Sequence, residues 1–238
     1  MSASRAKWLL LPALCVFGVL LFTALGIWQV ERRAWKLDLI SRVDRRIHAP
    51  PVAAPAPSQW LALDPKAIEY RHVAAVGRYR HDQETLVDAL TERGAGYWVL
   101  TPLVTSAGTI LVNRGFVPTD YADRRTRAAG NSDGAVTIVG LLRLSEPRGR
   151  VLRGNNPAEN RWYSRDVFAI ARARGMGAVA PFFIDADAAA NPGGLPIGGL
   201  TVVTFRNAHL VYALTWFALA ALSLGGLVII RKSAQEPC

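Results

Sequence analysis

Three side chains near the C-terminus could together do chemistry at a membrane surface. His209, Tyr212 and Trp216 are spaced at i, i+3 and i+7, so a helix would place them on one face. They open a long apolar run, where an ionisable residue is a candidate for function. A neutral imidazole there could bind a metal ion, and the aromatic rings could hold a flat ligand. Alternatively, His209 is an interfacial histidine that stays hydrated, and the face is a packing stripe.

Two apolar segments would form the helices that position this face. Trp8 to Val30 and Leu210 to Ile230 contain no charged residue, and each is long enough to cross a hydrocarbon core of about 30 Å. The first exceeds the apolar stretch of about 7–15 residues in a cleaved signal peptide. It also runs into a charged collar at residues 31–33. We therefore expect a retained anchor, with a cleaved signal as the alternative, and spans at residues 8–30 and 208–230.

Basic residues beside the two spans predict the orientation of the chain. Arg5 and Lys7 precede the first span, and Arg231 and Lys232 follow the second. The positive-inside rule then places both termini in the cytoplasm of a multi-pass protein of the cell (inner) membrane. Residues 31–207 would face outward, in a periplasmic or other extracytoplasmic domain. Basic residues also flank this segment on its own side, but long loops translocate largely regardless of charge.

The segment between the spans has the pattern of one α+β domain. Residues 31–47 continue at helical spacing, and the proline-rich stretch 49–58 predicts an extended linker. Short runs rich in β-branched and aromatic residues follow, and the tight turn at Thr105–Gly108 favours a hairpin. The predicted fold is therefore α+β, with two transmembrane helices flanking one mostly antiparallel, β-rich extracytoplasmic domain. Strands are predicted at residues 69–80, 84–90, 96–104, 109–117, 135–144, 181–187 and 200–205. Helices are predicted at residues 119–129 and 164–175. The second helix would have Ser164 as its N-cap and Gly175 just past its end.

Composition and motif content argue against several classes of protein. The chain carries a net charge of +10, but its basic residues are scattered and no nucleic-acid-binding motif accompanies them. A membrane surface or an acidic partner fits this charge better. Cys15 and Cys238 form no C-x-x-C pair, and His48, His72 and His81 are expected to be surface residues without metal-ligand spacing. Common catalytic motifs do not occur, so we expect no enzyme; a convergent active site is the third hypothesis.

Four motifs, in order along the chain, resemble one known family. They are LGIWQVERRAWK at Leu25–Lys36, VNRGFVP at Val112–Pro118, NNPAENRWYSRD at Asn155–Asp166 and GGLTVVTFRNAHLVYALTWF at Gly198–Phe217. Together with the two spans, they resemble the surfeit-locus cytochrome oxidase assembly family, and they cover most of the chain. The resemblance implies an assembly factor for haem-copper cytochrome c oxidase that binds haem A transiently and assists its insertion into the catalytic subunit.

The resemblance also implies roles for individual residues. His209 would be the ligand of the haem iron. Trp216 would be a second residue typical of the family on the helix that carries His209. Tyr212 shares their face. Since the first span ends where the second begins, Trp28 and Gln29 are candidates for the opposite wall of the site. Their alternatives are a membrane-belt anchor for Trp28 and an interfacial polar group for Gln29.

Arginines beside the spans are candidates for binding the haem propionates. Arg206, Arg32 and Arg33 stand at the predicted aqueous rim, and guanidinium groups form paired hydrogen bonds with carboxylates. At least one of the three is expected to be only a solvated collar charge.

The Arg-Gly motif in the outer domain has two interpretations. Gly115 could supply a left-handed turn, and Arg114 could brace that turn through backbone carbonyls. Alternatively, both residues form a docking contact with the oxidase subunit. The expected partners are this catalytic subunit, membrane lipids and, as a further candidate, haem A synthase. The second functional hypothesis is a membrane scaffold that stabilises oxidase subunits and never binds haem.

Overall fold

The structure is a computed structural model that describes residues 3–150, 152–201, 203, 205 and 207–235, with side chains between residues 10 and 233. The chain divides into two compact units. One contains the long helix α1 (Ala3–Ile47) as far as Arg42, together with the C-terminal helix α4 (His209–Gln235). The other is a β-rich domain that extends from Val43 to Val203.

Helices α1 and α4 are long and apolar enough to cross a membrane, over Leu10–Ile47 and His209–Ser233. Much of their apolar surface is exposed, including Leu10, Phe17 and Leu222. Such a surface is stable in hydrocarbon rather than in water, and helices satisfy their own backbone hydrogen bonds there. These helices therefore indicate membrane anchoring at both ends of the chain. Helix α1 continues without a break past residue 30, in agreement with the helical spacing of residues 31–47.

The domain is built on one seven-stranded sheet. Its strand order is β1-β2-β6-β7-β5-β4-β3, and an additional pairing of β2 with β4 closes a barrel-like ring of five strands. Most neighbouring strands are antiparallel, as predicted; β1 with β2 and β5 with β7 are the parallel pairs. The strands are β1 (Val52–Ala53), β2 (His72–Tyr79), β3 (Thr85–Thr91), β4 (Gly94–Thr105), β5 (Gly108–Pro118), β6 (Ala135–Leu144) and β7 (Val179–Ala186).

Side chains of the central strands alternate between two hydrophobic clusters. On β7, Phe182 and Ile184 pack with Leu142 in one cluster, whereas Phe183 packs with Leu111 in the other. This alternation follows from the two-residue period of a strand. Helix α3 (Val167–Ala173) covers the second cluster, where its Ile170 is fully buried. A further short helix, α2 (Pro65–Ile68), contributes Ile68 to the first cluster.

Several local predictions differ from the structure. Residues 200–205 were expected to form a strand, but the described residues Thr201, Val203 and Phe205 have no strand conformation. The predicted helix at 119–129 is instead two 3-10 helices, Thr119–Tyr121 and Arg124–Gly130. The proline-rich linker also contains more structure than predicted. Val52, inside the linker, pairs with Val73, and the last two linker residues begin a 3-10 helix at Pro57–Ala62.

The N-cap of α3 is Asp166 rather than Ser164. The Asp166 side chain accepts a hydrogen bond from the backbone of Ala169 at 3.1 Å. Ser164 is engaged elsewhere, because its hydroxyl donates to the carbonyl of Glu146 at 2.7 Å. The predicted C-terminal glycine is confirmed: Gly175 lies just past the helix with φ +62°, a conformation that glycine adopts without steric cost.

Candidate functional site

Helices α1 and α4 pack along a line of small, aromatic and polar side chains, which we call the seam. The residues of α4 that contribute are spaced by four and three positions, so they lie on one face of the helix. Contacts run antiparallel, from Gly18 beside Ser223 at one end to Gln29 beside His209 at the other. The seam consists of Gly18, Phe22, Gly26 and Gln29 on α1 and of His209, Ala213, Trp216, Ala220 and Ser223 on α4.

His209 begins α4 and is bonded to the facing helix. Its Nδ1 lies 2.7 Å from Oε1 of Gln29. Gln29 is only 8% exposed, and the His209 ring is partly buried. Among the residues that the structure describes, no hydrogen bond to the other ring nitrogen, Nε2, is present. The structure thus brings together the histidine predicted as a ligand and a polar residue predicted for the opposite wall.

Aromatic and glycine contacts fill the rest of this end of the seam. Trp216 stacks on Phe22, with ring centroids 5.7 Å apart and an interplanar angle of 19°. A side-chain carbon added at Gly26 would lie 2.5 Å from the ring of Phe217, closer than atoms can approach. The helices are therefore in close contact below His209. Sequence reasoning did not identify Phe22 or Phe217 as part of this arrangement.

The other predicted ligand-binding residues have different surroundings. Tyr212 and Trp28 are 55% and 53% exposed, so they lie outside the seam on the apolar surface. Tyr212 thus lies on the same side of α4 as His209, but it does not share the contact of His209 with α1. The guanidinium of Arg32 stacks over Trp35 at 4.1 Å, and Arg33 is partly buried. Arg206 lies outside the described residues.

Two further side chains lie near the start of α4. The ammonium group of Lys36 is 5.3 Å from the centre of the Phe205 ring, an approach that allows a cation–π contact. The side-chain oxygen of Asn207 is buried and, in the described part of the chain, has no hydrogen-bond partner. A buried acceptor without a partner is uncommon and is a point where a bound hydroxyl or water would be favourable. Both residues lie within the family motifs, but neither was predicted as a residue of the site.

Arg114 braces a turn inside the β-rich domain. It is only 3% exposed, its Nη1 donates to Oδ1 of Asn131 at 3.2 Å, and its Nη2 donates to the carbonyl of Gly130. Gly115 has φ +126°, and a side chain there would clash with the backbone of Ile197. These contacts favour the structural interpretation of the motif, and a docking role for Arg114 and Gly115 stays a prediction.

Burial also controls the electrostatics around Arg114. Its guanidinium lies over the ring of Tyr79 at 4.9 Å. Burial raises the pKa of the Tyr79 hydroxyl to about 12, although the adjacent Arg114 charge acts to lower it. Burial likewise lowers the pKa of Arg114 from its ordinary value, with Tyr79 acting in the opposite direction. This cluster is therefore a neutral phenol packed on a cation, and it provides no general base.

Asp185 is the centre of a second polar cluster in the domain. This carboxylate is only 2% exposed and is surrounded by donors. It accepts hydrogen bonds from Asn113 at 2.7 Å and from Arg165 at 3.0 Å. Burial acts to lower the pKa of Arg165, but the charges of Asp185 and Glu146 outweigh it and raise the pKa. Arg143 and Thr201 also donate hydrogen bonds to the Asp185 carboxylate, at 3.2 and 3.0 Å.

The expectation that the remaining histidines are surface residues is wrong for two of them. His72 is bonded through Nδ1 to the carbonyl of Ala49 at 2.7 Å and through Nε2 to Asp187 at 2.8 Å. His81 is partly buried, and burial lowers its pKa. His48 is exposed, as predicted. Within the described residues, no group of three or more histidine, cysteine or acidic side chains could hold a metal ion.

Comparison with known proteins links both units of the chain to one group. A profile of the SURF1 family matches residues 16–221. Surfeit locus protein 1 of Homo sapiens is 41% identical over 237 residues, covering 92% of this chain and 75% of the human protein. The Mus musculus protein of the same name is 41% identical over 230 residues, covering 90% and 71%. A SURF1-like protein of Caenorhabditis elegans is 32% identical over 223 residues, covering 84% and 68%.

Proposed function

Because this chain belongs to the SURF1 family, we propose that it is a membrane-anchored assembly factor for haem-copper cytochrome c oxidase. In this proposal it binds haem A transiently and assists the insertion of haem A into the catalytic subunit. It holds its ligand without transforming it, so it is not an enzyme. The family resemblance provides the biological context, and the end of the seam at His209 provides the site.

The observation that carries this proposal is the environment of His209. Haem iron supplies an open coordination position that a neutral imidazole nitrogen can fill. The bond to Gln29 engages Nδ1, so Nε2 is the nitrogen that remains for a ligand. The ring stands at the first residue of a membrane helix, where an ionisable group is costly unless it has a role or a partner. The donor chemistry therefore fits the iron of haem A.

Packing restricts where the macrocycle of haem A can lie. The contacts of Gly26 with Phe217 and of Phe22 with Trp216 leave no room for it between the helices. The exposed rings of Trp28 and Tyr212 provide apolar surface outside the seam. We assign the macrocycle to this outer side, next to lipid, where the apolar tail of haem A is also favourable.

Arginines would hold the two propionates at the aqueous rim. Arg32 is exposed beside Trp35, and Arg33 is near it on α1. Arg206, outside the described residues, is three positions before His209 in the sequence. A guanidinium binds a carboxylate through two parallel hydrogen bonds, which gives both attraction and orientation.

The proposed topology places this site at the outer face of the cell (inner) membrane. Both termini are cytoplasmic, and the β-rich domain is extracytoplasmic, because basic residues lie between each span and the terminus next to it. The catalytic subunit of the oxidase is the proposed recipient of haem A, with haem A synthase as a candidate donor. Membrane lipids surround the apolar helices.

The direct test is the visible spectrum of protein purified from cells that make haem A. We expect His209→Ala to lose most of the bound haem while it remains inserted, since alanine preserves the helix and its backbone bonds. His48→Ala is the matched control, because His48 is exposed and lies outside the seam. Equal haem in wild-type and His209→Ala protein would contradict the ligand assignment. It would favour a scaffold that binds oxidase subunits without haem.

A further inference from the structure

The amide of Gln29 bears directly on which nitrogen of His209 can bind a metal. The atom of Gln29 that lies 2.7 Å from Nδ1 is the carbonyl oxygen, Oε1. A carbonyl oxygen has lone pairs and no hydrogen, so the proton of this bond must belong to Nδ1. A neutral imidazole carries a single N–H. The lone pair of the ring is therefore on Nε2.

We infer that Gln29 is a positioning residue for the haem A ligand: it holds His209 in the Nδ1–H tautomer and fixes the orientation of the ring. This inference rests on the proposed function and specifies how the site is prepared before haem arrives. Gln29 does not contact the iron. It acts through His209, from the facing helix.

The surroundings of Gln29 suit this role. Its side chain is nearly inaccessible, so water does not compete for the hydrogen bond. The seam holds α1 against α4 through the adjacent contacts of Gly26 and Phe22, so the amide cannot easily move away from the ring. Histidine ligands in metalloproteins commonly donate their second ring N–H to such an acceptor, which fixes the tautomer and raises the basicity of the ligating nitrogen.

A purely structural link between two membrane helices is the competing explanation. Polar side chains often form hydrogen bonds between membrane helices, and such bonds stabilise their association modestly. A structural link forms whether Gln29 or His209 donates the hydrogen. A ligand-positioning role requires Gln29 to present an acceptor to Nδ1. Glutamate preserves this acceptor at nearly the same size, and leucine removes it. The two substitutions therefore test whether an acceptor facing Nδ1 sets the tautomer of His209 and the affinity for haem A.

The first measurement uses the full-length protein without haem, in detergent micelles, with ¹⁵N-labelled histidine. The His209 signals are identified by their loss in His209→Ala. We expect ring-nitrogen shifts of the Nδ1–H tautomer in wild-type protein. In Gln29→Leu we expect a shift toward the Nε2–H tautomer, which the isolated histidine side chain prefers. The same tautomer in both proteins, or Nε2–H in the wild type, would overturn the inference.

The second measurement is titration of the same proteins with haem A, followed by the visible spectrum. Loss of such a hydrogen-bond partner typically weakens metal binding by about 10–100-fold, so we expect this loss in Gln29→Leu. Gln29→Glu should bind with an affinity close to that of the wild type. Thr215→Val is the control: it removes another side-chain hydrogen bond of α4, to the carbonyl of Val211, on the exposed side of the helix. It should leave the affinity unchanged.

The results separate this inference from the proposed function. Equal affinity of wild-type and Gln29→Leu protein would overturn the positioning role alone. Loss of affinity in Gln29→Glu as well as in Gln29→Leu would also overturn it, in favour of a packing effect. A wild-type protein that binds no haem A would overturn the proposed function. In that case the Gln29–His209 bond would be a structural link only, and the positioning role would be rejected with it.

Discussion

Trp216 stacks on Phe22 across the seam, a contact expected if its face of α4 is a packing stripe against the other membrane helix. Such aromatic pairs contribute about 0.5–1.5 kcal/mol beyond the area that they bury. The stack lies two helical turns from His209 along α4, on the same side of the helix. In the proposed function, Trp216 would therefore affect haem binding by holding α1 in place.

A double-mutant cycle tests the role of this stack. We expect Trp216→Ala and Phe22→Ala to lower the melting temperature of the protein in detergent by similar amounts and to reduce bound haem in parallel. The double variant should add little, since each substitution already removes the shared contact. Trp216→Phe preserves an aromatic face and should have the smallest effect. If Trp216→Ala lost haem and Phe22→Ala retained it, Trp216 would contact the macrocycle directly.

The β-rich domain should fold without the membrane helices. The unit from Val43 to Val203 contains both hydrophobic clusters and all seven strands. A soluble fragment with these boundaries should give circular dichroism of mixed α and β structure and one cooperative melting transition. It should not bind haem A, because His209 and Gln29 are absent from it. Stoichiometric haem on this fragment would move the site away from the seam.

Replacement of Asp185 by alanine should strongly destabilise this domain. The substitution leaves Asn113 and Arg143 without the carboxylate that they share, and breaking a buried ion pair typically costs about 3–5 kcal/mol. Urea unfolding of the fragment would measure the loss. Asp82→Ala is the control, because Asp82 pairs with Arg80 at the exposed surface and its removal should barely change the midpoint. Equal midpoints for the two variants would contradict the central role of Asp185.

Stability of the domain should depend on pH through His72. Burial acts to lower the pKa of His72, but the hydrogen bonds to Ala49 and Asp187 outweigh it and raise the pKa above its ordinary value of 6.5. The protonated form is thus favoured in the folded state. Its stabilisation is fully present below pH 6.5 and is lost as the pH rises through the folded-state pKa.

Urea midpoints of wild-type and His72→Gln domain at several pH values would measure this contribution. The difference between the two proteins should be largest at acidic pH and should shrink as the pH rises. The contribution of His81 is present in both proteins and cancels. A difference that does not change with pH would show that His72 stabilises the domain only as a neutral side chain.

Membrane topology can be tested with reporter fusions. The basic residues next to the termini predict that reporters at both ends are cytoplasmic and that a reporter joined after Gly130 is external. A cytoplasmic reporter at Gly130 would contradict the proposed position of the domain. It would also place the His209 end of the seam at the inner face.

The general architecture could be predicted from the sequence because it depends on local patterns. Uncharged apolar length identifies α1 and α4, and short runs rich in β-branched and aromatic residues identify strands such as β5 and β7. The interior contacts could not be predicted, because they join distant parts of the chain. Asp185 meets Asn113 across 72 positions, and no spacing rule reports such a pair.

The candidate site was predictable in part, because some of its residues also follow from local patterns. The spacing on α4 identified His209, and the predicted depth of the spans identified Gln29 as a residue of the opposite wall. Whether Trp28 or Gln29 faces His209 depends on the rotation of α1, which its apolar composition does not fix. The seam has Gln29 inside and Trp28 outside. Phe22 was not identified, because a phenylalanine in a membrane helix is ordinary.

The position of β7 has a consequence for synthesis of the protein. It lies between β5 and β6, although it is the last of the described strands to leave the ribosome. Until it does, β5 and β6 each have an unpaired edge, and such edges can pair with other chains and aggregate. Closing the ring must then bring β7 beside β5 across a long intervening segment, which slows folding. The nascent domain should therefore need protection by chaperones until residue 186 has emerged.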